Sequence, residues 1–393
     1  MSQRAIPAVF MRGGTSKAIV FDRRDLPERQ DDWAPIFLAA IGSPDPHGRQ
    51  LDGMGGGVSS LSKVCVVGPP SRADADVDHT FAQVVVRDGI VDYAGTCGNM
   101  SSAIGPFALD QGLVPPPAGT EAVVRIHDTN TGKIIVGRFP AAQGKSVVEG
   151  SFVLDGVAGS GAPVRLDFMD PGGATTGRLL PTGNAVDLLR TKDGDEVPAS
   201  MVDAANPFIF VAADALGLNG TELPDALDAA PDLLKRLERI RREGAVAMGL
   251  APDPAAAVPS IPKIALVAAP ADAPTLSGRS LRAAEIDLLM RMMSVGQPHR
   301  AIAATGALCL AVACCVPGSI PNSLLARREN DGDELRLGHP SGIVNVAAKV
   351  GCRDGKLQAE YAAIYRTARR LFQGEVLVPA AAWRGPVRSR QAS

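Results

Sequence analysis

The segment Ala94-Gly-Thr-Cys-Gly-Asn-Met-Ser-Ser-Ala-Ile-Gly-Pro-Phe-Ala-Leu109 follows a run with strand character at residues 80–93. Its first residues are small and permit a tight turn. From Met100 the pattern becomes apolar and Ala-rich, which predicts a short buried helix. Cys97 then stands at the start of that helix. Free backbone N–H groups and the positive end of the helix dipole favour anions there, and they favour a thiolate over a thiol. An arbitrary cysteine is most often a small buried hydrophobe. The Gly98-Asn99 that follows, and a second segment of the same design, turn the reading toward chemistry.

That second segment is Gly296-Gln-Pro-His-Arg-Ala-Ile-Ala-Ala-Thr-Gly-Ala-Leu-Cys-Leu-Ala-Val-Ala-Cys-Cys-Val-Pro-Gly318. Again a strand and a turn lead into a helix of small apolar residues, starting at Thr305-Gly306. Each half of the chain is thus β-rich around one buried helix. If the halves pack face to face, two helix N-termini converge on one cleft. Such a cleft suits a guest with two or three carboxylates, because each helix end can hold one without a metal.

The 393 residues suffice for two domains, each with its own core. The division is expected at 184/185, giving domains 1–184 and 185–380 and a tail at 381–393, disordered from 386 on. With 46% hydrophobic residues the chain is globular, and 42 Gly and 31 Pro against 4% aromatics fit many turns and short strands better than a helical bundle. The formal net charge is −2, and no Lys/Arg run is long enough to track a nucleic-acid backbone. No signal-peptide core follows Met1, and no apolar stretch reaches about 18 residues, so a cytoplasmic protein without membrane contact is expected. The six cysteines form no C-x-x-C pair and no His lies at ligand spacing from them, which argues against zinc and against a disulfide framework.

Residues 8–12 and 18–21 read as strands around Gly13-Gly14-Thr15-Ser16-Lys17, a loop rich in N–H and hydroxyl donors. Residues 26–40 are expected to be helical with Pro27 at the start. Residues 42–57 form a long polar Gly/Pro loop of the kind that more often carries function. Hairpins are expected at Asp88-Gly89 and Asn130-Thr-Gly132. Residues 231–248 have Leu233, Leu234, Leu237 and Ile240 at helical spacing opposite Lys and Arg. Residues 263–268 and 284–293 read as strands, and 359–371 as a strand followed by a short helix.

Cys97-Gly98-Asn99 is similar to the first catalytic motif of diaminopimelate epimerase, and Ala303-Ala304-Thr305-Gly306-Ala307 resembles its second, Cys-Gly-Thr-Gly-Ala. Ala303 occupies the place of the second cysteine, which weighs against a two-thiol racemase. The closer resemblance covers nearly the whole chain and is to the PrpF-like isomerases: 2-methylaconitate cis-trans isomerase, 3-methylitaconate isomerase and 4-oxalomesaconate tautomerase. It is carried by Met11-Arg-Gly-Gly-Thr-Ser-Lys17, Ile41-Gly-Ser-Pro-Asp45, Leu51-Asp-Gly-Met-Gly-Gly56, Ser59-Ser-Leu-Ser-Lys63, Cys97-Gly-Asn99, Leu180-Pro-Thr-Gly-Asn184, Gly338-His-Pro-Ser-Gly342 and Arg366-Thr-Ala-Arg-Arg370. Each is weak alone; eight in order are specific. The resemblance implies an α+β, diaminopimelate-epimerase-like fold: two pseudo-equivalent, barrel-like, mostly antiparallel domains, each around a central helix. It also implies Lys63 and Cys97 as the acid/base pair.

The family reaction moves a C=C bond by one position in a small unsaturated di- or tricarboxylate, with no cofactor and no metal. It needs a base poised near neutrality, an acid at the other carbon and fixed donors for the developing charge. A lysine fits the first role when desolvation or a nearby cation lowers its pKa. Arg12, Gly13, Gly14, Thr15, Ser16, Ser59, Ser60, Asn99, Met100, Arg300, Thr305, Gly306, His339 and Ser341 are the candidate substrate-binding residues. Arg49 and His299 are further sources of charge, whereas Asp45 and Asp52 read as loop-stabilising. The expected partner is the polycarboxylate itself, with room for a homodimer. Within the family, the 41–56 loop and the 366–374 segment lean slightly toward the methylaconitate isomerases. The Gly55-Gly-Gly-Val-Ser-Ser-Leu-Ser-Lys63 segment lacks the Gly-Lys-Ser/Thr end of a phosphate loop. Outside the enzymes, the competing reading is an accessory protein to an aconitase-like partner.

Overall fold

The computed structural model describes residues 2–192, 194, 196–326, 334–353 and 355–383. The part of the expected tail from residue 384 on lies outside the described residues. Six α-helices are described: α1 (Ala34–Ile41), α2 (Gly98–Asp110), α3 (Pro224–Asp228), α4 (Pro231–Ala247), α5 (Ala304–Cys314) and α6 (Ile320–Leu324). Strand residues outnumber α-helical residues by more than two to one, α+β as expected, with antiparallel pairings in the majority among the described residues. Four pairings are parallel: Ser16–Asp22 with Lys63–Gly68, Val77–Val84 with Glu121–Asp128, Asn206–Ala212 with Lys263–Ala268, and Leu288–Ser294 with Glu334–His339.

Both central helices are built mainly of small and apolar residues, with Asn99, Ser101 and Ser102 the polar exceptions in α2 before Asp110, and the chain buries them on every side. Every residue of α2 from Gly98 to Leu109 is buried, and so is every residue of α5. The strands that wrap them show the period of two that a one-sided sheet requires. Glu121–Asp128 alternates exposed and buried positions, with Ala122, Val124 and Ile126 inward. By contrast Leu288–Ser294 is buried at every position, so its sequence alternates imperfectly. α4 covers a separate cluster that includes Leu237, Ile240, Ile209 and Leu266. Among the described residues no helix is long and apolar enough to cross a membrane.

Three local expectations are corrected. The helix expected at 26–40 is only Ala34–Ile41; it begins beside Pro35 rather than Pro27. Leu26 is extended, and the Pro27 carbonyl accepts from Trp33 Nε1 at 2.9 Å and from Arg23 Nη1 at 3.0 Å, so side chains hold that stretch outside the helix. The strand expected at 284–293 starts at Leu288, because Ala283–Glu285 forms a 3-10 turn in which the Glu285 carboxylate accepts the Arg282 N–H at 2.9 Å. The helix expected near 371 does not form. Lys356–Pro379 is one strand that pairs with Gly342–Arg353, Pro163–Met169 and Gln3–Gly13, and these ladders take up its backbone groups. The strand Lys356–Pro379 thereby closes against the first strand.

Candidate active site

Cys97 is the N-cap residue of α2, with extended backbone at φ −123°, and Ala303 is the N-cap residue of α5. The two helix starts touch. A Cβ on Gly98 would lie 3.1 Å from Ala304 Cβ and 3.2 Å from the Thr305 nitrogen, so only glycine admits this approach without displacement. The convergence anticipated from the two segments is therefore present. Between these ends lies a cleft lined by Ser16, Lys63, Gln83, Cys97, Lys263 and His299, with Phe81, Gly95, Thr96, Ser260, Ser294, Val295, Ala303 and Thr305 completing the wall. Among the described residues that line it there is no Asp or Glu.

Lys63 opens the strand Lys63–Gly68 and stands opposite Gln83 in the ladder. Its Nζ donates to Gln83 Oε1 at 2.5 Å and lies 5.0 Å from the centre of the Phe81 ring. The Gln83 amide is fixed in that orientation because its Nε2 donates to the carbonyls of Ser59 and Ser62 at 3.1 and 3.0 Å. Burial pushes the Lys63 ammonium below its ordinary pKa, while ionised Cys97 and Cys65 would pull it back up. A lysine so placed is closer to a usable base at neutral pH than a solvated one.

His299 also faces the cleft. Burial holds its imidazole at about 4, and the charges of Lys63, Lys263 and Arg366 act in the same direction. It is therefore neutral at pH 7. Its Nδ1 accepts the Ala301 N–H at 3.1 Å, which leaves the ring proton on Nε2 as a donor. His339 repeats the device: its Nδ1 accepts the Ser341 N–H at 3.2 Å, and burial with the nearby Arg366 charge lowers it to about 3.

The other sequence-selected residues divide by position. Ser16 and Thr305 line the cleft with Lys63 and Cys97. Asn99 lies just behind, buried, donating through Nδ2 to Thr15 Oγ1 at 3.0 Å. Gly13 and Gly14 pack directly against Asn99. Arg12 braces the same turn by donating to the carbonyls of Gly14 and Thr367. Ser59 acts through its carbonyl on Gln83, and Ser60 sits in the 3-10 turn Ser59–Leu61. Met100 is fully buried in the core, and Gly306 packs on Phe208 and Met292. Arg300 is placed on the exterior, paired with exposed Asp225 at 2.8 Å, and Ser341 Oγ donates to the Arg300 carbonyl. Asp45 holds its loop by accepting the N–H groups of His47, Arg49 and Gln50.

Two basic residues of the site were not singled out from sequence. Arg366, 1% exposed, donates through Nε to Asn99 Oδ1 at 2.9 Å and through Nη1 to the Tyr365 carbonyl. Burial lowers it to about 9, so it is still a cation at pH 7. Lys263 donates to the Ser260 carbonyl at 2.8 Å. A signal for it exists in the sequence: Ser260-Ile-Pro-Lys263-Ile-Ala-Leu-Val-Ala268 parallels Ser60-Leu-Ser-Lys63-Val-Cys-Val-Val-Gly68.

Residues 3–379 match the family described as PrpF protein. The chain belongs to the PrpF family. It is 43% identical over 382 residues to the 3-methylitaconate isomerase of Eubacterium barkeri, covering 96% of this chain and 98% of that one. It is 41% identical over 389 residues to the 2-methyl-aconitate isomerase of Cupriavidus necator, again covering 96% and 98%. To the 4-oxalomesaconate tautomerase of Pseudomonas putida it is 38% identical over 389 residues, covering 98% and 99%. A solved methylitaconate-delta-isomerase superposes over 100% of both chains with a TM-score of 0.76 at 41% identity. A hydroxyproline epimerase from Agrobacterium vitis shares the fold at 13% identity, with a TM-score of 0.56 over 98% and 96% of the two chains. This member of the PrpF family is an isomerase on the fold that the sequence resemblance implied.

Proposed function

We propose that the chain moves a carbon–carbon double bond by one position in a small unsaturated di- or tricarboxylate, through an allylic proton transfer, and that 2-methylaconitate is the guest it fits first. The observation that carries this reading is the pairing of Lys63 with Cys97 in one cleft at two helix N-termini, with no acidic side chain among the described lining residues. Such a site attracts carboxylates and offers an amine and a thiol on the same bound molecule.

In this reading the neutral Lys63 amine takes the proton from the carbon activated by the neighbouring C=C bond and carboxylate. The C–H pair becomes the new C=C bond, and the old one shifts onto the far carbon as a dienolate. A proton returned to that far carbon completes the transfer, either from the Lys63 ammonium or from the Cys97 thiol, whose thiolate then regains a proton as the Lys63 ammonium gives one up. Charge developing on the carboxylate oxygens meets the N–H groups at the starts of α2 and α5, with Ser16 and Thr305 hydroxyls beside them.

The second reading, 3-methylitaconate as substrate, is favoured by the 43% identity to the Eubacterium barkeri enzyme. Purified protein incubated side by side with 2-methylaconitate, 3-methylitaconate, aconitate and 4-oxalomesaconate in deuterated buffer decides. Proton NMR should show isomer formation and deuterium at the transposed carbon for at least one of them, fastest for 2-methylaconitate. Absence of both product and exchange for all four would reject the reading and favour a non-catalytic accessory role.

A further inference from the structure

The strand pairings contain an internal repeat. In the first half, Gln3–Gly13 runs antiparallel to Ser16–Asp22, which is parallel to Lys63–Gly68, which is antiparallel to Val77–Val84, which is parallel to Glu121–Asp128. In the second half, Glu196–Ala204, Asn206–Ala212, Lys263–Ala268, Leu288–Ser294 and Glu334–His339 pair in the same order and the same directions. Each series then adds an antiparallel strand, Lys133–Ala142 or Gly342–Arg353. Each holds its buried helix between the fourth and fifth strands, α2 or α5.

Under this correspondence Cys97 maps onto Ala303, so the thiol has no mate. Lys63 does have one. Lys263 is the first residue of its strand, as Lys63 is of its own. Lys63 stands opposite Gln83; the register that pairs Ile264 with Met293 sets Lys263 beside Ser294, and all four residues line the one cleft.

We propose that Lys263 is the second half's counterpart of Lys63 and binds a carboxylate of the guest through its ammonium. The inference rests on the polycarboxylate reading above. An ammonium has three donors, and the Ser260 carbonyl takes one. Among the described residues no other acceptor bonds it, and no carboxylate lines the cleft. The carboxylate acting on that cation is Asp92, which accepts from the Ser260 N–H rather than from the ammonium, so the remaining donors are open to an anionic guest.

The residue is held from both halves. Arg241 of α4 donates to the carbonyls of Val258, Ile261 and Pro262, fixing the loop that delivers Lys263. The Ser260 N–H donates to Asp92 Oδ2 at 3.2 Å, tying the same loop to the first half. Burial lowers Lys263 to about 8, with Cys97 and Asp92 pulling the other way, so most of it carries its proton at neutral pH. The two lysines thus divide the work: Lys63, over the Phe81 ring and in the cleft with Cys97, handles the proton, and Lys263 fixes the guest.

Calorimetric titration of the full chain with propane-1,2,3-tricarboxylate, which has no double bond to move, tests this. Lys263→Gln is expected to weaken binding roughly 10–100-fold, the loss of one charge-assisted contact. Lys263→Arg should stay within about threefold, because the charge is kept. On the substrate that the wild type turns over best, Lys263→Gln should raise KM far more than it lowers kcat. Should Lys263→Gln not fold, Lys263→Met against Lys263→Arg makes the same comparison. A folded Gln or Met variant that binds the tricarboxylate as the wild type does overturns the inference, as does an Arg variant as weak as the Gln variant. If the wild type turns substrate over while these variants bind normally, only this inference falls. If the wild type neither binds the tricarboxylate nor turns over any of the four substrates, the function reading falls with it.

Discussion

Asn206 grips the peptide of Thr96 from both sides: its Oδ1 accepts the Thr96 N–H at 3.1 Å, and its Nδ2 donates to the Thr96 carbonyl at 2.8 Å. The same Nδ2 reaches Thr305 Oγ1 at 3.4 Å. Asn206 is the first residue of a second-half strand, and Thr96 immediately precedes Cys97. One buried amide therefore sets the thiol's height relative to the start of α5. The site is thus a property of the junction between the halves.

Asn206→Ala should leave the Thr96 N–H and carbonyl buried without these partners. Each such group costs about 1–3 kcal/mol, so a loss of a few kcal/mol in urea unfolding is expected. The kcat of the folded fraction should fall as well, because Cys97 is no longer held. An unfolding midpoint equal to wild type would show that water or rearrangement replaces both bonds.

Lys63→Met removes the proposed base but keeps an unbranched chain of similar length. Turnover should drop by about 10²–10⁴, the range for losing a positioned acid/base group. Stability should change little, because relief of a buried amine offsets the loss of the Phe81 ring contact and of the donor to the buried Gln83 Oε1, the latter worth about 1–3 kcal/mol. Solvent-deuterium exchange into substrate should disappear together with turnover. Retained exchange with lost turnover would move the base role to another residue.

Gly14 has φ +50°, and a Cβ there would lie 2.3 Å from Asn99 Oδ1. Gly14→Ala therefore meets both a backbone penalty and a clash with the residue that Arg366 bonds. A loss of about 1–3 kcal/mol in denaturant unfolding is expected, together with weaker tricarboxylate binding. A variant with unchanged stability and affinity would show that the turn relaxes freely and does not organise the site.

The two inner helices were legible because each is rich in Ala, Gly and apolar residues without a charged face and follows a small-residue turn, unlike an amphipathic surface helix. The hairpins at Asp88-Gly89 and Asn130-Thr-Gly132 were legible from turn chemistry alone; their flanking strands do pair. What escaped was whatever depends on partners distant in sequence. Lys356–Pro379 carries Ala and Arg that suit a helix, and only its ladder partners near residues 3–13, 163–169 and 342–353 make it a strand. Arg366 opens the Arg366-Thr-Ala-Arg-Arg370 motif, yet its burial against Asn99 spans 267 residues of sequence. Arg300 carries charge four residues before a helix start, yet its side chain leans outward to Asp225. Lys263 was readable through the repeated Ser-x-x-Lys before a strand, a faint signal because only two of those four positions match.

His299 and His339 give the fold a pH dependence of definite sign. Both are buried, and their folded values are lowered from 6.5 to about 4 and about 3. The unfolded chain takes up protons below about 6.5 while the folded chain does not, so stability is full above that pH and is lost as pH falls toward 4. Each histidine contributes a slope approaching about 1.4 kcal/mol per pH unit across that window. Urea unfolding at pH 7.5, 6.5, 5.5 and 4.5 should show little change over the first step and a steepening fall over the rest. His339→Asn removes one of the two groups and should roughly halve the acid slope that the histidines supply. A variant whose slope equals that of the wild type would mean that His339 is protonated in the folded state, with its Nδ1 no longer accepting the Ser341 N–H.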